Sequence, residues 1–149
     1  MINDSLNLKG RVALELKDAE GNVKEVREID NLVVDAGLDY IASRMEGVTE
    51  AVMSHMGLGS GSTAADAADT DLETLLGSRE ALDSTTVTNN QIVYVATFEA
   101  GDATGSVREA GIFNAATSGT MLCRTVFDVV NKAADDTLSV TWTITISAS

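Results

Sequence analysis

The run Leu138-Ser139-Val140-Thr141-Trp142-Thr143-Ile144-Thr145-Ile146-Ser147 alternates apolar and hydroxyl residues without a break. Side chains of a strand point alternately to opposite faces, so this is one long strand. Leu138, Val140, Trp142, Ile144 and Ile146 form its apolar face. Ser139, Thr141, Thr143, Thr145 and Ser147 form the other, which carries no charge. Such a hydroxyl face can meet water or another protein surface with little desolvation cost. The chain therefore reads first as a β-scaffold, with Trp142 as a structural core residue.

The rest of the chain supplies partners for that strand. Arg11 to Ile29 reads as a hairpin, turning at Asp18-Ala19-Glu20-Gly21-Asn22, where Gly21 can take a positive φ. Its return strand alternates poorly, which suggests a bulge or an exposed edge guarded by Lys24, Glu25, Arg27 and Glu28. Leu38, Ile41, Ala42 and Met45 recur at the spacing of one helix face, so a helix is expected over about 35–46. Asp35 would cap it, Gly47 would end it, and its apolar stripe would pack on a sheet. Ala51 to Leu58 is expected as a strand, Gly59 to Thr70 as a long loop of small residues, and Asp71 to Gly77 as a short helical turn. Beyond it, strands are expected at Arg79–Val87, Gln91–Ala100, Val107–Phe113, Met121–Phe127 and Leu138–Ser147. Regular spacing with polar turns points to a mainly β fold: an antiparallel β-sandwich or an open barrel with one packed α-helix. Residues 1–10 lack a core-forming pattern and read as an N-terminal arm, followed by a single β-rich domain over 11–149.

Length and composition bound the function. A chain of 149 residues suits one domain with a real core. Its 23 acidic and 10 basic residues give a net charge of −13. That surface repels phosphate, so no direct nucleic-acid partner and no anionic membrane surface are expected. No apolar run is long enough to span a bilayer, and the first residues lack the pattern of a signal peptide. The single cysteine, Cys123, excludes an intramolecular disulfide and reads as a small buried hydrophobe.

Few residues suggest catalysis. Gly57-Leu58-Gly59-Ser60-Gly61-Ser62-Thr63 lacks the lysine of a phosphate-binding loop and the third glycine of a dinucleotide fingerprint. Asp66, Asp69, Asp71 and Glu73 do not have the spacing of an EF-hand, and no metal is assigned to them. His55, the only histidine, reads as a packing residue. No enzyme activity and no cofactor are expected. Glu109-Ala110-Gly111-Ile112-Phe113 is the most distinctive short motif. Gly111 within a strand implies a bulge or the close approach of another backbone. Glu109 is expected to accept bonds from backbone amides or from Arg79 or Arg124, in a structural role.

Several segments in this order resemble one family. They are Asn31 to Gly37, Met56 to Ala64, Leu72 to Glu80, Arg108 to Phe113, Arg124 to Phe127 with Lys132, and Thr137 to Ile144. Together they look like a family of small structural proteins of tailed bacteriophages, described as tail-fibre-like or virion structural proteins. The resemblance implies a non-enzymatic component of the virion, made in the bacterial host cytoplasm. The compact single domain suits a capsid cement or decoration protein on the head exterior. Its partners would be the major capsid protein and further copies of itself, with a homotrimer favoured. A tail or baseplate component that anchors a fibre through tail proteins, or a host-surface-binding module, are the alternatives. The contact residues expected for such assembly are Ile2, Leu6 and Leu8 in the arm, and Gly59, Ser60, Gly61 and Thr63 in the loop.

Overall fold

A computed structural model describes residues 5–148. The chain order is β1 (Leu6–Lys17), β2 (Val23–Val33), α1 (Asp35–Glu46), β3 (His55–Gly59), β4 (Glu80–Ala81), β5 (Ser84–Thr88), β6 (Gln91–Phe98), β7 (Gly105–Phe113), β8 (Met121–Lys132) and β9 (Thr137–Ala148). All strands join one antiparallel sheet in the order β4-β3-β7-β8-β2-β1-β9-β6-β5, curled into a half-barrel. Of the two architectures the sequence left open, the chain adopts the open barrel.

β9 forms the long strand expected of it, paired on both sides. It pairs with β1 from Leu6↔Ala148 to Lys17↔Thr137 and with β6 from Gln91↔Thr145 to Phe98↔Leu138. Its even-numbered residues from Leu138 to Ile144 are buried, facing Val12, Leu14 and Leu16 of β1 and Tyr94, Ala96 and Phe98 of β6. Val107, Ala110, Ile112, Leu122, Cys123 and Val130 close the core from β7 and β8. At roughly 1.5–3 kcal/mol per fully buried large apolar side chain, this interior is the main source of stability.

The β1–β2 turn is fixed by Asp18, whose carboxylate accepts the amides of Glu20 and Asn22, while Gly21 sits at φ 84°. β2 holds β8 by backbone pairing only at Leu32 and Val33. Along the rest, Arg27 reaches across and donates to the Asp128 and Val129 carbonyls. The poor alternation of β2 reflects this half-open position.

Five expectations need correction. β1 starts at Leu6, so residues 6–10 pair with β9 and are not a free arm; Gly10 is buried beside Asn31. Ile2 lies outside the described residues. α1 has the expected bounds and ends on Gly47 at φ 89°, but Val34 occupies the cap position and Asp35 makes no capping bond. The helical stripe is not buried either: Met45 is 83% and Leu38 42% exposed. The helix meets the sheet at its first turn, where a Cβ on Gly37 would lie 2.2 Å from the Leu122 carbonyl oxygen. Asp71 to Gly77 forms no helix. It runs beside β3, with Ser60 N–H donating to Thr74 O and Leu76 N–H to Leu58 O. Finally, the strand expected over Arg79–Val87 is two. β4 lies against β3 and β5 against β6, so the chain crosses from one outer strand to the other across Leu82 and Asp83. There the curl brings the two edges of the sheet together.

Candidate interaction site

Two features stand out. One is a buried ionic clamp that holds the long loop to the sheet. The other is an apolar mouth at the open end of the half-barrel.

The clamp centres on Glu109 of β7, which is fully buried. Its Oε2 accepts the amides of Gly61 and Thr74, both at 2.8 Å, and its Oε1 accepts the Glu73 amide at 2.8 Å and Arg124 Nε at 3.1 Å. Arg124, on the neighbouring strand β8, also donates to Asp69 Oδ2 at 2.8 Å and to the Thr63 carbonyl at 3.0 Å. One carboxylate and one guanidinium thus fasten both arms of the 59–76 segment. Burial pushes the Asp69 carboxyl up, but the Asp66 amide and Arg124 outweigh it and hold it below the usual carboxylate range. Burial also works against the charged Arg124, yet its hydrogen bonds to Asp69 and Glu109 raise its pKa overall.

The glycines are explained by this clamp. A Cβ on Gly61 would sit 2.3 Å from Glu109 Oε2, and one on Gly59 would sit 2.5 Å from the Thr74 carbonyl oxygen. Only a residue without a side chain lets the carboxylate reach the loop amides. Gly59 and Gly61 are therefore buried under their own loop and have no surface for a neighbouring subunit, while Ser60 is half-buried. Thr63 is exposed and its hydroxyl donates to Glu73. That bond is the main cause holding the Glu73 carboxyl below its ordinary value. The long loop is a fastened strap.

Gly111 pairs with Gly57 on β3 and with Arg124 on β8. A Cβ there would lie 3.1 Å from Leu72 Cδ2 and 3.3 Å from Met121 Sδ, so the close approach is of side chains and not of backbone. Glu109 takes its partners from amides and Arg124, as expected; Arg79 does not join it. Arg79 instead lies over Phe113, 3.5 Å from the ring centroid, and donates to the Ala115 and Ser118 carbonyls. Trp142 is fully buried, and its Nε1 has no hydrogen-bond partner among the described residues.

The acidic cluster does not converge. Asp66 caps the Ala68 amide, Asp69 meets Arg124, Asp71 accepts the Leu72 amide, and Glu73 accepts the Ser62 amide. Among the described residues no group of three or more His, Cys, Asp or Glu is placed to hold a metal. Ser54 Oγ lies 2.8 Å from His55 Nδ1, closer than alternation along a strand suggests, because Ser54 precedes β3. Burial pushes the Cys123 thiol well up.

The mouth is a cavity of about 520 Å³. Leu8, Val33, Ile92, Leu122, Ile144 and Ile146 form its floor, with Ile41 and Met45 of α1 and Val52 on one wall and Thr85 and Val87 of β5 on the other. Leu8, expected as a contact residue, lines this mouth; Leu6 is exposed beside it. The mouth was not legible in the sequence: helical spacing puts Ile41 and Met45 on a face expected to pack against a sheet, and nothing local brings Val87 of β5 opposite them. A second missed cluster lies at the opposite ends of the strands. There Lys132, buried, donates to the Glu99 carbonyl, and Lys24 pairs with Asp136 at 2.7 Å.

No helix among the described residues is long and apolar enough to cross a membrane. Compared with protein-family models, curated proteins and solved structures, the chain matches none.

Proposed function

We propose that this chain is a structural protein of a tailed-bacteriophage particle, with the capsid exterior favoured over the tail, acting by cementing neighbouring shell subunits. The observation that carries the reading is the distribution of charge. β9, β6 and β5 are adjacent in the sheet and contain no Asp, Glu, Lys or Arg, on a chain whose net charge is −13. An acidic surface with one uncharged, hydroxyl-rich flank favours protein contact there while keeping the rest away from packaged DNA. The family resemblance supplies the particle, and the strapped half-barrel suits a mechanical role. Binding only to the assembled shell would stabilise it by mass action.

A host-surface module is less well supported, since none of the six aromatic side chains is exposed to offer a sugar-stacking platform.

The test is reconstitution. Heads prepared without this chain are incubated with it, and the temperature of DNA release is followed. Saturable binding with a higher release temperature supports the cement reading. Binding confined to tails supports the fibre-anchor alternative and removes the cement role.

A further inference from the structure

Among the described residues the sheet ends on β5, whose outer row of backbone N–H and C=O groups has no strand beside it. Proteins usually guard such an edge with charge, proline or a bulge. The opposite edge, β4, is only two residues long and carries Glu80. β5 has none of these guards. Ser84-Thr85-Thr86-Val87-Thr88 is exposed at every position and runs in unbroken register with β6 from Ser84↔Val95 to Thr88↔Gln91. Its groove-facing residues, Thr85 and Val87, form one wall of the apolar mouth, and Val87 is 66% exposed. Met45 and Val52 stand exposed on the other wall.

We propose that a second copy of this chain adds its own β5 to this edge, antiparallel and across a two-fold axis. Three observations choose that occupant. The first is charge. Two copies each at −13 repel one another, and the uncharged flank of β5, β6 and β9 is where they can meet without opposing carboxylates. The second is register. Residues directly opposite in an antiparallel pair share a face. Pairing centred on Thr86 sets Val87 of each copy against Thr85 of the other and keeps both apolar mouths on one side, where they join. The third is symmetry. A head-to-tail ring needs a complementary second edge, and the two residues of β4 offer no ladder. The five-residue strand spans only about 17 Å, too little for a stable interface of roughly 1,200 Å² or more, so the joined mouths must contribute the remainder. The inference goes beyond the virion reading and does not depend on it, because it concerns the purified chain alone.

The experiment is sedimentation equilibrium of the full chain over a range of concentration and salt, with near-UV circular dichroism of Trp142 reporting the fold. The wild type is expected to pass from monomer to dimer, more readily as salt screens the repulsion. Thr86→Lys and Thr86→Glu place like charges directly opposite one another across the axis, and each alone should weaken dimerisation roughly tenfold or more. Mixed together, the two variants should restore a dimer containing one of each. Val87→Lys should also give monomer, through the mouth. A wild type that stays monomeric, a trimer, or a dimer indifferent to both Thr86 variants would overturn the proposal.

Discussion

Replacing Glu109 by Gln tests the clamp in one step. The side chain keeps its shape but loses its charge, and one of its two oxygens becomes an NH2 group. That group now faces amide donors where the carboxylate accepted the amides of Gly61, Glu73 and Thr74. The Gly61 amide is fully buried, and leaving it unpaired costs about 1–3 kcal/mol. Arg124, only 2% exposed, keeps Asp69 but loses its buried counter-charge. Breaking a buried pair from one side costs about 3–5 kcal/mol, which includes part of the amide cost. The expected loss is therefore about 3–5 kcal/mol, or roughly 6–20 °C in melting temperature for a chain of this size. Urea titration gives the first number. Amide hydrogen exchange gives the location: the Gly61, Glu73 and Thr74 amides should lose protection while the β1–β9 ladder keeps it. The double variant Glu109→Gln/Arg124→Met should cost less than the sum of the singles, because the two residues share partners. If Glu109→Gln shifts stability by less than about 0.5 kcal/mol, as an ordinary surface change does, the clamp is not what holds the loop.

Three further predictions follow from the same geometry. Gly10→Ala should destabilise by about 1–3 kcal/mol, because its Cβ would fall 1.5 Å from Asn31 Oδ1. Adding Asn31→Ala should recover most of that loss in a urea titration, since the Asn31 side-chain amide makes no hydrogen bond among the described residues. Acid should loosen the strap and the Lys24–Asp136 pair at the far ends of the strands: Asp69 and Glu73 in the first, and Asp136 in the second, titrate below their ordinary values when folded. Their stabilisation is complete above the unfolded carboxylate range of about pH 4 and is lost as pH falls through the lower folded values. Thermal melts should thus be flat in this contribution from pH 8 to 5 and fall steeply below pH 4. Cys123, buried with its thiol pushed up, should react with a thiol reagent only at the rate of unfolding, and an immediate reaction in the native protein would contradict its placement.

The strand pattern was legible because period two is a local signal. β9 showed it without a break, and β6 could be read from its first residue, whereas β1 was read only from Arg11 although it starts at Leu6. Glu109 was also legible: an acid at the head of the apolar stretch Ala110 to Phe113 has to find donors. What was not legible depends on distant pairs. Gly59 and Gly61 looked like part of a contact loop, because nothing local says that a carboxylate from β7, far along the chain, will occupy the space their side chains would take. Leu38 and Met45 looked buried because helical spacing reports amphipathicity but not which end of the helix touches the sheet; Gly37 decides that through Leu122. The break at Leu82 and Asp83 was hidden for a related reason. Arg79 to Val87 contains no Gly or Pro to mark a break, and only the curl of the sheet sends its two halves to opposite edges.

The most direct test of the proposed virion role is immunogold electron microscopy, with antibody to this chain, on particles of the tailed bacteriophage that the proposal names as its source. Gold distributed over the heads is the result the account predicts. Particles that carry no gold on head or tail, although the antibody labels the free chain, would contradict it.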